Sequence, residues 1–144
     1  MSTRHEVVRA TPQHVWDVLA DGWLYPLWVV GASRMREVDD HWPAVGARLH
    51  HSAGLWPALV DDTTEVLEND APHHLRLRAR GWPAGEAEVD LRVEAHGEGT
   101  LVTLAEDVVA GPGKLVPKPL RDPQISSRNR ETLRRLRLLA ENRA

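Results

Sequence analysis

At 144 residues, with a formal net charge of -3 and an isoelectric point near 6.2, the chain has the size of one domain and no global attraction for nucleic acid or anionic membranes. It has no cysteine, which excludes disulfides, a thiolate nucleophile and thiolate metal sites. No apolar run approaches the ~20 residues of a membrane span, and MSTRHEVVRA lacks a charged-then-apolar leader pattern, so a single cytoplasmic domain over residues 1–144 is expected, without a transmembrane segment.

Alternation predicts a short strand over His5 to Arg9, after which Thr11-Pro12 supplies a capping hydroxyl and a proline at the first helical position. The helix that follows buries Val15, Trp16, Val18 and Leu19 and stops at Asp21-Gly22. Trp23 to Trp28 is apolar on all sides but broken by Pro26, which suits a short helical turn or buried loop. Strands are expected over 33–38, 46–53 and 59–68, the first two joined through Asp39 to Pro43.

The next pair is the best determined. Leu75, Leu77 and Ala79 alternate with Arg76, Arg78 and Arg80, and beyond Gly81-Trp82-Pro83-Ala84 come Ala87, Val89 and Leu91 alternating with Glu86, Glu88 and Asp90. A hairpin centred on Pro83 sets Arg80, Arg78 and Arg76 opposite Glu86, Glu88 and Asp90, while the apolar residues meet on the other face. A slip of one residue would oppose leucines to acids, so one register satisfies both faces. Gly97 to Gly99 then turns into a strand over Thr100 to Val108, and a Gly- and Pro-rich loop from Ala110 to Pro119 leads to a helix expected to start at Asp122-Pro123 and run to Asn142. Ile125, Leu133, Leu136, Leu139 and Ala140 form its apolar stripe, and its arginines read as a solvated face.

The order of elements, together with Thr11-Pro12, Asp21-Gly22 to Trp28, Val45-Gly46-Ala47, Asp61 to Thr64, Glu106-Asp107 and Gly111-Pro112, resembles the START-like helix-grip (SRPBCC) superfamily, and most of all its bacterial polyketide cyclase/dehydrase-like branch. The resemblance implies an α+β fold in which a curved antiparallel sheet of six or seven strands wraps around a long C-terminal helix, with short helices after the first strand. It also implies a ligand cavity between sheet and helix.

Strand phase places Leu49, His51, Leu75, Leu77, Val89, Leu91, Val102, Leu104 and Glu106 on the concave face. A dry, empty pocket of about 300 Å³ would cost roughly 7 kcal/mol, comparable to the ~5–15 kcal/mol stability of a domain, so such a pocket should be small, wetted by polar groups or filled by a ligand. Asp62 and Thr64 share one phase and could add a polar patch, while Trp23, Tyr25, Trp28 and the loop residue Trp56 could line or gate the mouth. Glu106, His51 and Tyr25 are the candidate proton-transfer groups. Adjacent histidines on a strand point to opposite faces, so His50-His51 and His73-His74 do not assemble a metal site. Gly111 to Lys114 lacks phosphate-loop spacing.

These residues lead to a binder of a hydrophobic small molecule, lipid-, acyl- or polyketide-like, acting as carrier or sensor without a cofactor, a metal or a nucleic-acid partner. The resemblance implies an alternative, an aromatic polyketide cyclase or dehydratase working in the same cavity, and on resemblance alone a protein-binding relative of chaperone activators is a third class.

Overall fold

The computed structural model describes residues 2–30, 32–53, 60–81 and 85–143. Seven strands form one antiparallel sheet: β1 (Ser2–Val8), β2 (Ala32–Val38), β3 (Arg48–Ala53), β4 (Val60–Asp70), β5 (His74–Gly81), β6 (Gly85–His96) and β7 (Gly99–Ala110). Their order is β1-β7-β6-β5-β4-β3-β2, so the first and second strands of the chain are the two edges. The helices α1 (Pro12–Ala20) and α2 (Tyr25–Trp28) lie between these edge strands in sequence, and α3 (Lys118–Arg143) closes the chain. Irregularities in register at β2/β3, β4/β5 and β6/β7 add local twist, and the sheet curves around the helix. This is the helix-grip α+β architecture that the sequence implies.

Local chemistry accounts for the boundaries. Thr11 caps α1 by accepting a 3.2 Å hydrogen bond from the His14 N–H, and Pro12 occupies the first turn, where no donor is needed. Asp21 ends α1 and accepts from the Trp23 N–H to start a 3₁₀ turn over Gly22–Leu24, which runs directly into α2. Glycine fits closely at the start of that turn: a Cβ on Gly22 would lie 2.6 Å from Leu49 Cδ2 and 2.8 Å from Val38 Cγ1, so a larger residue would push those side chains aside.

The β5/β6 register is the expected one, from His74 opposite Arg92 to Gly81 opposite Gly85. The turn residues Trp82, Pro83 and Ala84 lie outside the described residues. Arg80 meets Glu86 straight across at 3.0 Å as expected, but the other ion pairs run diagonally: Arg76 binds Glu88 at 2.7 Å, Arg78 binds Glu86 at 2.6 Å, and Asp90 is taken by His74 at 2.8 Å. Strand twist swings Arg76 and Arg78 toward the neighbour two residues away.

Several boundaries differ from the sequence reading: β3 starts at Arg48 rather than Gly46, β4 ends at Asp70 rather than Glu68, β7 runs to Ala110 rather than Val108, and the two differences at the ends of the chain have a clear physical reason. The first strand spans Ser2–Val8, ending before Arg9, because pairing with β7 from Glu106 to Thr100 extends it toward the N-terminus. The last helix starts at Lys118, four residues before Asp122. The Pro117 carbonyl accepts from the Leu120 and Arg121 N–H groups at 2.9 and 3.0 Å, Pro119 fits a first turn, and Pro123 sits inside the helix. Arg121 fastens this extra turn to the sheet by hydrogen bonds to Asp107 at 3.1 and 3.2 Å and to the Lys114 and Val116 carbonyls at 3.2 and 2.8 Å.

The packed core gathers Val15, Val18 and Leu19 of α1, Leu75 of β5, Leu91 and Val93 of β6, Val102 of β7, and Leu133, Leu136 and Ala140 of α3. It occupies the half of the sheet under the C-terminal part of α3.

Candidate functional site

Under the N-terminal part of α3 the same sheet and helix separate. A cavity of about 650 Å³ lies there. Its sheet wall is Leu77, Ala79 and Arg80 of β5, Gly85, Glu86, Ala87 and Val89 of β6, and Leu104, Glu106 and Val108 of β7. Its helix wall is Gln124, Ile125, Arg128, Asn129 and Thr132, at spacings that keep them on one face of α3. Tyr25, Trp28, Val29, Val30, Ala32 and His51 close one side, while Gly113, Val116 and Arg121 belong to the rim before and at the start of the helix.

The polar groups collect where α2 meets β3 and β4. Thr64 is the hub: its hydroxyl lies 2.8 Å from His51 Nε2 and 3.2 Å from the Tyr25 hydroxyl, and all three side chains are buried. The Tyr25 ring stacks on the His51 imidazole with centroids 5.6 Å apart and meets the Trp28 indole edge-on at 5.2 Å. Burial pushes the Tyr25 phenol up to about 12, outweighing the opposing bond from Thr64, so the hydroxyl keeps its proton at neutral pH. Burial also holds the His51 imidazole below its ordinary value, with Arg36 and His50 acting in the same sense and Asp62 opposing them. At neutral pH His51 is therefore uncharged.

Glu106 points into the cavity, as its strand phase requires, and is paired with Arg128 across the gap between β7 and α3. The carboxylate is buried, whereas the guanidinium is 41% exposed, so the pair bridges cavity and solvent.

Of the residues singled out from sequence, the structure brings Tyr25, Trp28, His51, Leu77, Val89, Leu104 and Glu106 to the cavity wall, with Thr64 just behind it. Leu49, Leu75, Leu91 and Val102 share the concave face but are packed into the core. Asp62 sits opposite His51 on β4 and acts on it through its charge, without lining the cavity. Trp23 is placed elsewhere: it is 59% exposed beside a separate open groove that includes Asp17, Asp21, Asp39 and Trp42, because the 3₁₀ turn directs it away from Tyr25. Trp56 lies outside the described residues.

Sequence reasoning passed over Arg121, Arg128, Asn129 and Thr132. The two arginines were counted with the solvated face. Asn129 and Thr132 share the stripe of Ile125, Leu133 and Leu136, so helical spacing alone marks them as inward-facing polar residues.

A curved antiparallel sheet gripping one long helix, with a cavity held between them, defines the START-like helix-grip class. Within it, the chain belongs to the family described as polyketide cyclase / dehydrase and lipid transport, whose sequence profile matches residues 2–141. Solved structures share this fold. Ara h 8.0201 superposes with a TM-score of 0.72 at 11% identity, over 96% of this chain and 95% of its own. A protein from Rhodobacter sphaeroides gives 0.71 at 23% identity, over 95% and 89% of the two chains. The di-domain ARO/CYC StfQ from the steffimycin biosynthetic pathway gives 0.73 at 12% identity, over 98% of this chain and 50% of StfQ. No curated protein matches the chain in sequence. Among the described residues, no helix is long and apolar enough to cross a membrane.

Proposed function

We propose that the protein binds one hydrophobic small molecule, lipid-, acyl- or polyketide-like, in the cavity between β5–β7 and α3, as a carrier or sensor without covalent chemistry. The observation that carries this reading is a space of about 650 Å³ whose walls are mainly Leu77, Ala79, Ala87, Val89, Leu104, Val108 and Ile125. Its charges are already paired, Glu106 with Arg128, Arg121 with Asp107 and Arg80 with Glu86. Volumes of ~300–1,000 Å³ with apolar walls and a few fixed polar groups are the usual form of a small-molecule site. The description of the family, which includes lipid transport, supports the same class of ligand.

Native mass spectrometry of the purified protein tests it. A single adduct of small-molecule mass that is removed by organic extraction and restored by adding the extract back is the expected result. A bare chain that takes up nothing from a lipid extract would count against it.

A second reading, the cyclase or dehydratase, draws on one observation. His51 is held neutral by burial, its Nε2 is taken by Thr64, and its Nδ1 has no partner among the described residues. A neutral imidazole in that position is able to accept a proton from a carbon acid bound in the cavity. His51→Gln should then abolish turnover of a cyclisable polyketone substrate while leaving its binding within about threefold, since Gln retains a hydrogen-bonding amide. Unchanged turnover would remove His51 from any mechanism.

A further inference from the structure

We infer that the molecule held in this cavity carries an uncharged hydrogen-bond acceptor, a ketone or ester carbonyl, received at the junction of α2 and α3 by the indole N–H of Trp28 and the side-chain amide of Asn129. This rests on the cavity being a binding site and adds the chemistry of what it recognises.

Three side chains that line the cavity have a fully buried polar atom with no partner among the described residues: Trp28 Nε1, His51 Nδ1 and Asn129 Nδ2. The residues are only 3%, 4% and 3% exposed, respectively. A buried polar atom left unpaired carries its full desolvation cost, which is why folded chains satisfy nearly all of them. Two buried groups elsewhere show the usual pairing. The Trp42 indole donates to the Leu19 carbonyl at 3.2 Å, and buried Thr100 donates to the Ala10 carbonyl at 2.7 Å. Of the five buried side-chain atoms without a hydrogen-bond partner among the described residues, three belong to side chains of this one cavity, and the other two, Asp122 Oδ1 and Arg137 Nε, lie apart on α3.

Their chemistry defines the complement. The Trp28 indole and the Asn129 NH2 can only donate, so each requires an acceptor. The two residues lie on elements that pack together, and Thr132, the next inward-facing polar residue on α3, accepts from the Val30 N–H at 3.3 Å and fixes the junction. His51 Nδ1 adds a third hydrogen-bonding nitrogen whose role follows from the direction of the bond to Thr64.

An anionic acceptor is disfavoured. Arg128 is committed to Glu106, Arg121 to Asp107 and Arg80 to Glu86, and a carboxylate set among Tyr25, Trp28 and apolar walls would be desolvated without a counter-charge. The remaining wall calls for a ring-containing or acyl body attached to the carbonyl.

The test uses two probes of nearly the same shape, acetylnaphthalene and isopropenylnaphthalene, in which CH2 replaces the carbonyl oxygen, with naphthoate as the charged comparison. Titration of the wild-type protein should show the ketone bound about tenfold or more tighter than the alkene. Its binding should also move one Trp indole N–H resonance downfield, and that resonance should vanish in Trp28→Phe. Asn129→Leu should remove most of the preference for ketone over alkene. Equal affinity for ketone and alkene would overturn the inference and leave the cavity as a non-selective apolar site. Binding of neither probe would overturn both this inference and the proposed function. Tightest binding of naphthoate would overturn the assignment of an uncharged group.

Discussion

The two halves of the sheet-helix interface are built by the same strands and the same helix, yet one is packed and the other open. On β6, Leu91 and Val93 are fully buried, whereas Ala87 and Val89 face the cavity. On α3, Leu133, Leu136 and Ala140 fill the packed half, whereas Ile125, Arg128, Asn129 and Thr132 face the open one. Across β5/β6 the open half pairs Ala79 with Ala87, where the packed half pairs Leu75 with Leu91. The comparison teaches that the cavity arises from missing side-chain volume together with polar residues on the helix, and that the backbone topology alone does not create it.

Substitutions that break the comparison most strongly remove volume from the packed half. Leu91→Ala should cost about 2–5 kcal/mol in urea unfolding, whereas Val89→Ala, which enlarges a space already present, should cost less than about 1 kcal/mol. Similar losses at the two sites would mean that the open half is filled in solution. Adding volume should separate the halves in the opposite sense. Ala140→Leu should lose about 1–3 kcal/mol through overpacking, while Ala87→Leu should be neutral or stabilising.

Removing Arg128 tests the bridge between the halves and solvent. Arg128→Met leaves the buried Glu106 carboxylate without its partner, and because the guanidinium is 41% exposed the loss should be about 1–2 kcal/mol, below that of a fully buried pair. Glu106→Gln with Arg128→Met should recover part of it. The smallest effect concerns pH. Because the folded-state value of His51 lies below its unfolded value of 6.5, its contribution to stability is complete above that value and is lost as pH falls from there through the lowered folded value. Between pH ~7.5 and ~5.5 the wild type should therefore lose more stability than His51→Gln, by under about 1 kcal/mol. Parallel losses would show that His51 titrates normally.

The hairpin of β5 and β6 was legible because two faces constrained one register, with leucines on one side and charges on the other. Its diagonal ion pairs were not, since alternation records which face a side chain takes and carries no information about twist. Glu106 was legible as inward by strand phase, but its partner Arg128 was hidden among seven arginines from Arg121 onward, and only the position of α3 over β7 selects it. Tyr25, Thr64 and His51 were each visible as polar residues in apolar surroundings. Their meeting depends on a 3₁₀ turn that rotates Tyr25 inward and Trp23 outward, a geometry that the sequence Gly22 to Trp28 leaves open. The start of α3 was missed because Asp122-Pro123 imitates a capped beginning, while the anchor that stabilises the earlier turn, Arg121 on Asp107, is a tertiary contact.

Uptake of an uncharged fluorophore, phenylnaphthylamine, by wild type and by Ala87→Phe tests the central claim most directly. The account predicts saturable binding of about one molecule per chain to the wild type, and loss of that binding in a variant whose unfolding midpoint is no lower, because the new ring occupies the space between Ala79 and α3. Equal binding by both proteins, or none by the wild type, would contradict it.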